Sequence, residues 1–290
     1  MDFLHEICSN NMTILIFGGS GRLGGAFTRN FTEHTLLLPT RLEVDITSTK
    51  SIEEYCKSTH PDIVINAVAY NNCDGAEGDD WATAMMLNGR VPELIAHSTA
   101  LHKIPFIHIS TDYVFSGTNE TGYTEDDQPH PINNYGWSKF IGEEAVLRQN
   151  PSATIVRVSR LYGHAAESTN AKRSFVEIVQ ELASKNTTFS INHSERSAPT
   201  LVDDVALHIK KYLLPTPQAG IFHMSNSGGC TWYEWAREIV SILKLPVTVT
   251  PNDPKNLTRA ALRPQHSILL STKIPAMRSW QEALRAFLLK

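Results

Sequence analysis

Cysteine, long apolar runs and clustered basic residues are all scarce in this sequence. The chain has 290 residues, and its few cysteines are scattered without the paired spacing of a zinc site or a disulfide framework: Cys8, Cys56, Cys73 and Cys230. This usage favours a reducing compartment and therefore a cytoplasmic location. No apolar run approaches the ~18 residues of a membrane span, and the opening residues are acidic where a signal peptide needs basic ones. We expect no membrane partner.

An excess of charge of one sign is also lacking. The chain has 26 basic and 30 acidic residues, a formal net charge of -4, and no basic block. With this balance of charges, the sequence predicts no positively charged surface that would bind nucleic acid. With 41% hydrophobic residues, the chain can build the core of one large or two interleaved domains. We therefore expect a small-molecule partner.

Short β-rich apolar runs alternate with amphipathic stretches along the first half of the chain. The predicted strands are residues 13–17, 35–38, 62–67, 105–109 and 154–158, and the predicted helices are residues 22–31, 51–58, 79–102 and 135–149. This alternation predicts an α/β fold with a doubly wound, Rossmann-like parallel sheet. In such a sheet the ligand lies at the carboxyl ends of the strands.

The second half of the chain is less regular. It predicts helices near residues 174–184, from about 201, over 231–243 and over 279–289, and strands at 188–191 and 221–224. We predict a dinucleotide-binding domain over residues 12–163 with a return segment at 201–225. Residues 164–200 and 226–290 then form a smaller α+β substrate domain, and residues 1–11 are an N-terminal appendage.

A glycine-rich turn follows the first predicted strand and opens a helix, with the spacing G-x-x-G-x-x-G. Gly18 allows a tight turn, Gly21 lets the backbone approach a pyrophosphate, and Gly24 permits close contact between helix and sheet. The predicted cofactor-binding residues of this turn are Gly18, Ser20, Gly21, Arg22, Leu23 and Gly24. The alternative is a plain glycine-rich αβ turn, but the strand before it and the helix after it favour a dinucleotide.

The second predicted strand ends without the acidic residue that many NAD sites use to bind the ribose hydroxyls. Arg41 stands there instead, and with Arg22 it could pair with a 2′-phosphate, which favours NADPH over NADH. A plain surface position is the alternative for each arginine. Asp45 and Ile46 come next and are placed to meet the adenine.

The third predicted strand ends in small side chains. Ala67, Val68 and Ala69 would let a cofactor lie across the edge of the sheet, although core packing explains the alanines equally well.

Two further motifs carry the chemistry. Thr111 follows the fourth predicted strand, so its hydroxyl could hydrogen-bond a substrate carbonyl in the nicotinamide crevice. Tyr135 and Lys139 lie one turn apart if the segment after Asn133 is helical, and the ammonium can then stabilise a phenolate and tune a proton donor. A Tyr/Lys pair alone is common on solvated helix faces. The assignment of this pair to catalysis therefore depends on its combination with the other motifs.

Together these motifs resemble those of extended short-chain dehydrogenase/reductases and, more narrowly, of the dTDP-4-dehydrorhamnose reductase family, over residues 12–290. Further matches are residues 72–77, 87–88, 157–159, 198–200, 263–264 and 280–284. The resemblance implies NAD(P)H-dependent reduction of the 4-keto group of a nucleotide-linked 4-keto-6-deoxy sugar, as in dTDP-L-rhamnose biosynthesis. Tyr135 would give the proton, Lys139 would lower the tyrosine pKa and bind the nicotinamide ribose, and Thr111 would polarise the carbonyl.

The resemblance also implies a substrate site, with Asp112, Tyr113, Arg160 and Arg263 as its predicted residues. Arg160 departs from the family pattern, which usually has a tryptophan that contacts the sugar. It could reach a substrate diphosphate or an acidic sugar, or point to solvent. No metal is predicted, because the polar run of the family's metal-assisted dimer contact is replaced by residues 193–196, with Glu195 expected at the surface. A homodimer stays open.

Related activities are disfavoured by single residues. A sugar-nucleotide dehydratase needs an acid and a base after Thr111, whereas Tyr113 follows Asp112 here, and Asp112 also replaces the cysteine of GDP-fucose synthases. The alternative from another class is a non-catalytic regulatory subunit that resembles the β subunit of methionine adenosyltransferase. A redox sensor that controls a partner is a third interpretation, and it lacks a DNA-binding helix pair.

Overall fold

The computed structural model describes residues 11–164, 173–252 and 259–289. Apart from Asn11, the predicted appendage lies outside the described residues. The strands are β1 (Thr13–Phe17), β2 (Thr35–Leu37), β3 (Ile63–Asn66), β4 (Phe106–Thr111), β5 (Thr154–Val158), β6 (Leu161–Tyr162), β7 (Thr188–Asn192), β8 (Arg196–Ser197), β9 (Thr200–Leu201), β10 (Gly220–His223), β11 (Asn226–Ser227), β12 (Cys230–Thr231), β13 (Thr248–Asn252) and β14 (Met277–Ser279). The α-helices are α1 (Arg22–Asn30), α2 (Thr49–Thr59), α3 (Cys73–Ala76), α4 (Trp81–Ala84), α5 (Val91–His102), α6 (Asn134–Gln149), α7 (Phe175–Lys185), α8 (Val202–Tyr212), α9 (Trp232–Leu243) and α10 (Trp280–Leu288).

A six-stranded parallel sheet forms the centre of the fold, in the order β10-β5-β4-β3-β1-β2. The strand order reverses between β1 and β3, as it does at the ligand crevice of doubly wound sheets. Residues 202–223 return to this sheet and supply α8 and β10. The predicted doubly wound α/β class is confirmed, while the predicted domain boundaries stay a prediction.

The inner strands of the sheet, β1, β3, β4 and β5, are buried on both faces, which explains their largely apolar sequences. In β1, Ile14 and Ile16 face the layer of α1 and α8, while Leu15 and Phe17 face the layer of α2, α5 and α6. This alternation gives the sheet two separate cores.

A third core lies in the C-terminal half and joins α7, α9 and α10 to the parallel pair β7 and β13. Trp235 and Trp280 are buried there. A capping box begins α9: the Glu234 N–H donates to Thr231 Oγ1 (3.1 Å), and the Thr231 N–H donates to the Glu234 carboxylate (2.8 Å).

The predicted helix over residues 79–102 contains a π-helical turn, Met85–Arg90, between α4 and α5. Pro92 at the start of α5 has no N–H for the regular ladder, and the Asn88 side chain pairs instead with the backbone of Tyr70. Among the described residues, no helix has the length and apolarity needed to cross a membrane.

Candidate active site

The glycine-rich turn joins β1 to α1 at the carboxyl edge of the sheet. Gly18 has φ +87°, and a Cβ on it would lie 2.8 Å from the carbonyl carbon of Ala67 at the end of β3. A Cβ on Gly24 would lie 2.2 Å from the Gly19 carbonyl oxygen. The close approach of the turn to the end of β3 at Gly18, and of the helix to the turn at Gly24, therefore requires glycine at both positions.

The amino end of α1 fits a pyrophosphate. Its N-cap is Gly21, and no side chain among the described residues makes a capping hydrogen bond there. The N–H groups of the first helical turn therefore point, with the positive end of the helix dipole, toward the crevice. Ser20 precedes this N-cap and Leu23 lies in the first helical turn, and their contacts with a cofactor stay predictions.

Arg22 is engaged by groups of the protein. Its guanidinium donates to the carbonyls of Gly163 (2.6 Å) and His164 (2.8 Å) and pairs with Glu177 (3.3 Å). It therefore ties the turn to the segment after β6 and to α7. Arg41, in contrast, has an exposed side chain near the end of β2.

The predicted adenine and crevice residues follow β2 and β3. Asp45 is exposed, and hydrogen bonds from the Thr47 hydroxyl and N–H lower the pKa of its carboxyl. Ile46 packs on the core of the α2 face. Ala67, Val68 and Ala69 are half-buried at the end of β3, next to Gly18. Their contacts with a cofactor stay predictions.

Tyr135 and Lys139 lie on the first turns of α6, as predicted. The helix begins here because the Asn133 side chain accepts a hydrogen bond from the Gly136 N–H (2.7 Å). The Thr111 hydroxyl is a neighbour of the Tyr135 phenol. Burial raises the pKa of Tyr135, and nearby Cys73 raises it further, so the phenol keeps its proton at neutral pH.

Lys139 is buried behind the tyrosine. Its ammonium donates to the Ile109 carbonyl of β4 (2.7 Å) and lies 3.4 Å from His108 Nε2. Burial lowers the pKa of Lys139 to about 8, against the opposing effect of Glu143. The lysine is not among the main causes that shift the tyrosine pKa in this structure, so the predicted effect of Lys139 on Tyr135 stays a prediction.

Asp112 lies at the centre of a buried cluster of hydroxyl groups. It is 2% exposed, and Thr111 Oγ1 donates to its Oδ1 (3.2 Å). Its Oδ2 accepts from Ser159 (3.0 Å), Ser197 (3.1 Å) and Ser267 (2.6 Å). The carboxylate thus joins β4 to segments far away in the sequence, and its predicted substrate contact stays a prediction.

The other predicted substrate residues lie around this cluster. The Tyr113 ring packs edge-on against Tyr135, with ring centroids 5.5 Å apart. Arg263 pairs with Asp74 (2.8 Å) and is half-buried. Tyr113 therefore lies directly beside Tyr135, and the binding roles of Tyr113 and Arg263 stay predictions.

Arg160 does not point to solvent, so that alternative is wrong. Its guanidinium donates to the carbonyls of Cys230 (2.8 Å) and Glu195 (2.9 Å) and lies over the Trp232 ring, 4.2 Å from the centroid. The residue has φ +41°, a conformation that is strained for a side chain other than glycine.

Glu195 is buried, which corrects the expectation of a surface position. It is 7% exposed, accepts from Asn192 (2.7 Å) and Trp232 (3.0 Å), and pairs with Arg259. A pairing with Arg259 could not be foreseen, because 64 residues separate the two.

Some residues of the site were missed by the sequence analysis. His108 and Asn66 lie behind Lys139, and Ser197 and Ser267 hold Asp112. An inward-facing polar residue within an apolar strand was the only local signal, and it applied to Asn66 and His108. The serines carried no signal, because a short hydroxyl side chain has no pattern of its own.

A glycine-rich turn at the switch point of a doubly wound sheet, with a Thr, Tyr and Lys set two strands away, defines a dinucleotide-dependent oxidoreductase of the short-chain type. The RmlD substrate binding domain family matches residues 12–290. The chain belongs to this family.

Relatives extend over nearly the whole chain. It is 33% identical over 283 residues to a probable dTDP-4,6-dihydroxy-2-methyloxan-3-one 4-ketoreductase of Streptomyces antibioticus, which covers 94% of each chain. It is 30% identical to a dTDP-4-dehydrorhamnose reductase of Mycolicibacterium smegmatis, over 94% of this chain and 84% of the relative. The crystal structure of the Bacillus anthracis dTDP-4-dehydrorhamnose reductase in complex with NADP superposes with a TM-score of 0.89 at 30% identity, over 97% and 99% of the two chains.

Proposed function

We propose that the protein reduces the 4-keto group of a nucleotide-linked 4-keto-6-deoxy sugar with NADPH. The convergence of Thr111, Tyr135 and Lys139 at the carboxyl end of β4 carries this proposal. In the sheet order, β4 is two strands from β1, which places these groups about 10 Å from the glycine-rich turn. Relatives named as reductases of such sugars support the substrate class. A cytoplasmic location and a homodimer stay predictions.

The residues of the chain supply the proton chemistry. When bound, the dihydronicotinamide supplies the hydride that adds to the carbonyl carbon. Tyr135 gives its proton to the carbonyl oxygen, which becomes the alcohol, and the phenolate regains a proton from solvent. The Thr111 hydroxyl and the Lys139 ammonium stabilise the negative charge that passes from the carbonyl to the phenol.

The cofactor preference rests on Arg41. The groups that would hold the dinucleotide are the N–H groups at the start of α1 for the pyrophosphate and Asp45 with Ile46 for the adenosine. Arg41 is exposed near the end of β2, where its guanidinium would pair with the 2′-phosphate of bound NADPH. NADPH is therefore preferred to NADH.

A substrate panel tests the function. Purified protein is mixed with NADPH or NADH and with dTDP-, UDP- or GDP-linked 4-keto-6-deoxy sugars, and the loss of nicotinamide absorbance is followed. We expect turnover with at least one sugar nucleotide and a preference for NADPH. Tight cofactor binding without turnover of any of them would contradict the proposal and favour the regulatory-subunit alternative.

Turnover should fall as the pH rises above about 8. Since burial lowers the pKa of Lys139 to about 8, the ammonium is present below that pH and is lost above it. The maximal rate at saturating substrate should therefore be level at neutral pH and decrease through the lysine pKa. A rate that stays level up to the usual pKa of lysine would refute this role. Lys139→Met is the control, because its residual activity should lack this limb.

A further inference from the structure

A chain of buried polar groups lies behind Lys139. Asn66 at the end of β3 and His108 in the middle of β4 are both fully buried, and Asn66 Nδ2 lies 3.2 Å from His108 Nδ1. His108 Nε2 lies 3.4 Å from Lys139 Nζ. The two strands pair in register at these residues, which places both side chains on the same side of the sheet.

The direction of these hydrogen bonds follows from the backbone. The Val68 N–H donates to Asn66 Oδ1 (3.1 Å), so the amide nitrogen of Asn66 must be turned toward His108. His108 Nδ1 then accepts, and the ring proton of the neutral imidazole lies on Nε2. The ring is neutral because burial holds the pKa of His108 well below its usual value, and Lys139 lowers it further.

The Nε2 proton faces the amine of Lys139. A neutral amine has a lone pair that accepts this proton in a hydrogen bond, whereas an ammonium has only donors. For Lys139 to become an ammonium, the ring proton must move from Nε2 to Nδ1. On Nδ1 the proton would face the amide nitrogen of Asn66, which is also a donor. The two donors are separated only if the Asn66 amide rotates, and the Val68 N–H then loses its acceptor.

We propose that Asn66 and His108 are positioning residues that favour the neutral amine of Lys139 by holding the imidazole in its Nε2–H tautomer. The effect of this role on turnover rests on the proposed function. The coupling between the tautomer of His108 and the ionisation of Lys139 does not depend on that function. The change is balanced: Lys139 releases one proton to solvent while the ring proton moves from Nδ1 to Nε2.

Other charged groups act on Lys139 from the surrounding elements. Glu143, one turn further along α6, favours the ammonium, but its carboxylate is bound by Arg157 of β5 (2.6 Å). Tyr135, one turn earlier on α6, stays protonated at neutral pH because of its burial. Removal of the Asn66 amide should therefore make the ammonium form of Lys139 more favourable, while the effects of Glu143 and Tyr135 on Lys139 stay the same.

The tautomer of His108 tests the proposal in the wild-type protein. Ring-labelled histidine and ε-¹³C-labelled lysine are followed by NMR through the pH range, with His108→Gln and Lys139→Met to assign the signals. We expect His108 to be the Nε2–H form when Lys139 is neutral and to change tautomer as Lys139 takes up its proton. A ring that carries its proton on Nδ1 at every pH would overturn the proposal.

Asn66→Leu gives the second measurement. Without the amide donor, the midpoint of the Lys139 titration should rise by roughly one pH unit, since about one hydrogen bond no longer opposes the ammonium. The alkaline limb of turnover should move with it. Ile65→Val, a core change on the same strand, is the matched control and should leave the midpoint in place.

An Asn66→Leu midpoint equal to that of the wild type would also overturn the proposal. If this variant does not fold, the wild-type tautomer decides alone. If no keto sugar is turned over, the NMR midpoints still decide, so failure of the proposed function and failure of this inference can be told apart.

Discussion

Replacement of Tyr135 by phenylalanine should reduce turnover by about 10²- to 10⁴-fold, the usual contribution of a positioned proton donor. The phenol lies beside the Thr111 hydroxyl at the start of α6, and burial keeps it protonated, so it is ready to give its proton to a carbonyl oxygen. Phenylalanine fills the same space without that proton. The measurement is the maximal rate of NADPH oxidation with the sugar nucleotide selected from the panel.

Binding of NADPH should change little in this variant, because the glycine-rich turn and Arg41 are untouched. Fluorescence titration of the cofactor gives that comparison. Tyr212→Phe at the end of α8 is the matched control, since it also deletes one phenolic hydroxyl and should retain full activity. Equal turnover by Tyr135→Phe and the wild type would remove Tyr135 from the mechanism.

Replacement of Arg157 by methionine should have the largest effect on stability. Arg157 and Glu143 form an ion pair with side chains 0% and 1% exposed, and the carboxylate receives bonds from both Nε (3.0 Å) and Nη2 (2.6 Å). Loss of one partner leaves a buried charge without compensation, which typically costs about 3–5 kcal/mol. The melting temperature should therefore fall by on the order of 10 °C, as measured by calorimetry.

The double variant Arg157→Met with Glu143→Leu is the control. It removes both charges and should recover much of the lost stability, since a well-packed apolar pair often replaces a buried ion pair without loss. His223 provides a second readout. Burial and the neighbouring arginine lower its pKa to about 4, so the pKa of His223 should rise in both variants. An Arg157→Met variant as stable as the wild type would show that the pair contributes little.

Local patterns predicted the elements that line the crevice. The bounds of β1 and β5 agree with the predicted strands, and α6 begins within one residue of the predicted start. These elements are encoded by neighbouring residues: apolar β-branched runs bounded by polar ones, and the Asn133 cap before Tyr135. The same locality explains why the glycine spacing predicted the turn between β1 and α1.

Partners far apart in the sequence were not predictable in this way. Arg22 binds carbonyls more than 140 residues away, which no local pattern indicated, while its contact with a cofactor stays a prediction. Glu195 is buried against Arg259 rather than exposed. Another contact that no local pattern indicated joins Asn88, in the π-helical turn before α5, to Ser138 of α6 (2.9 Å).

The sequence by itself determined the class of the fold, the position of the dinucleotide turn and the one-turn spacing of Tyr135 and Lys139, because each depends on residues within a few positions of one another. The tertiary structure alone decided that three serines surround Asp112, that Arg160 lies on Trp232, and that His108 and Asn66 stand behind Lys139. Such groups are neighbours only after the sheet has assembled, when burial makes every polar side chain find a partner.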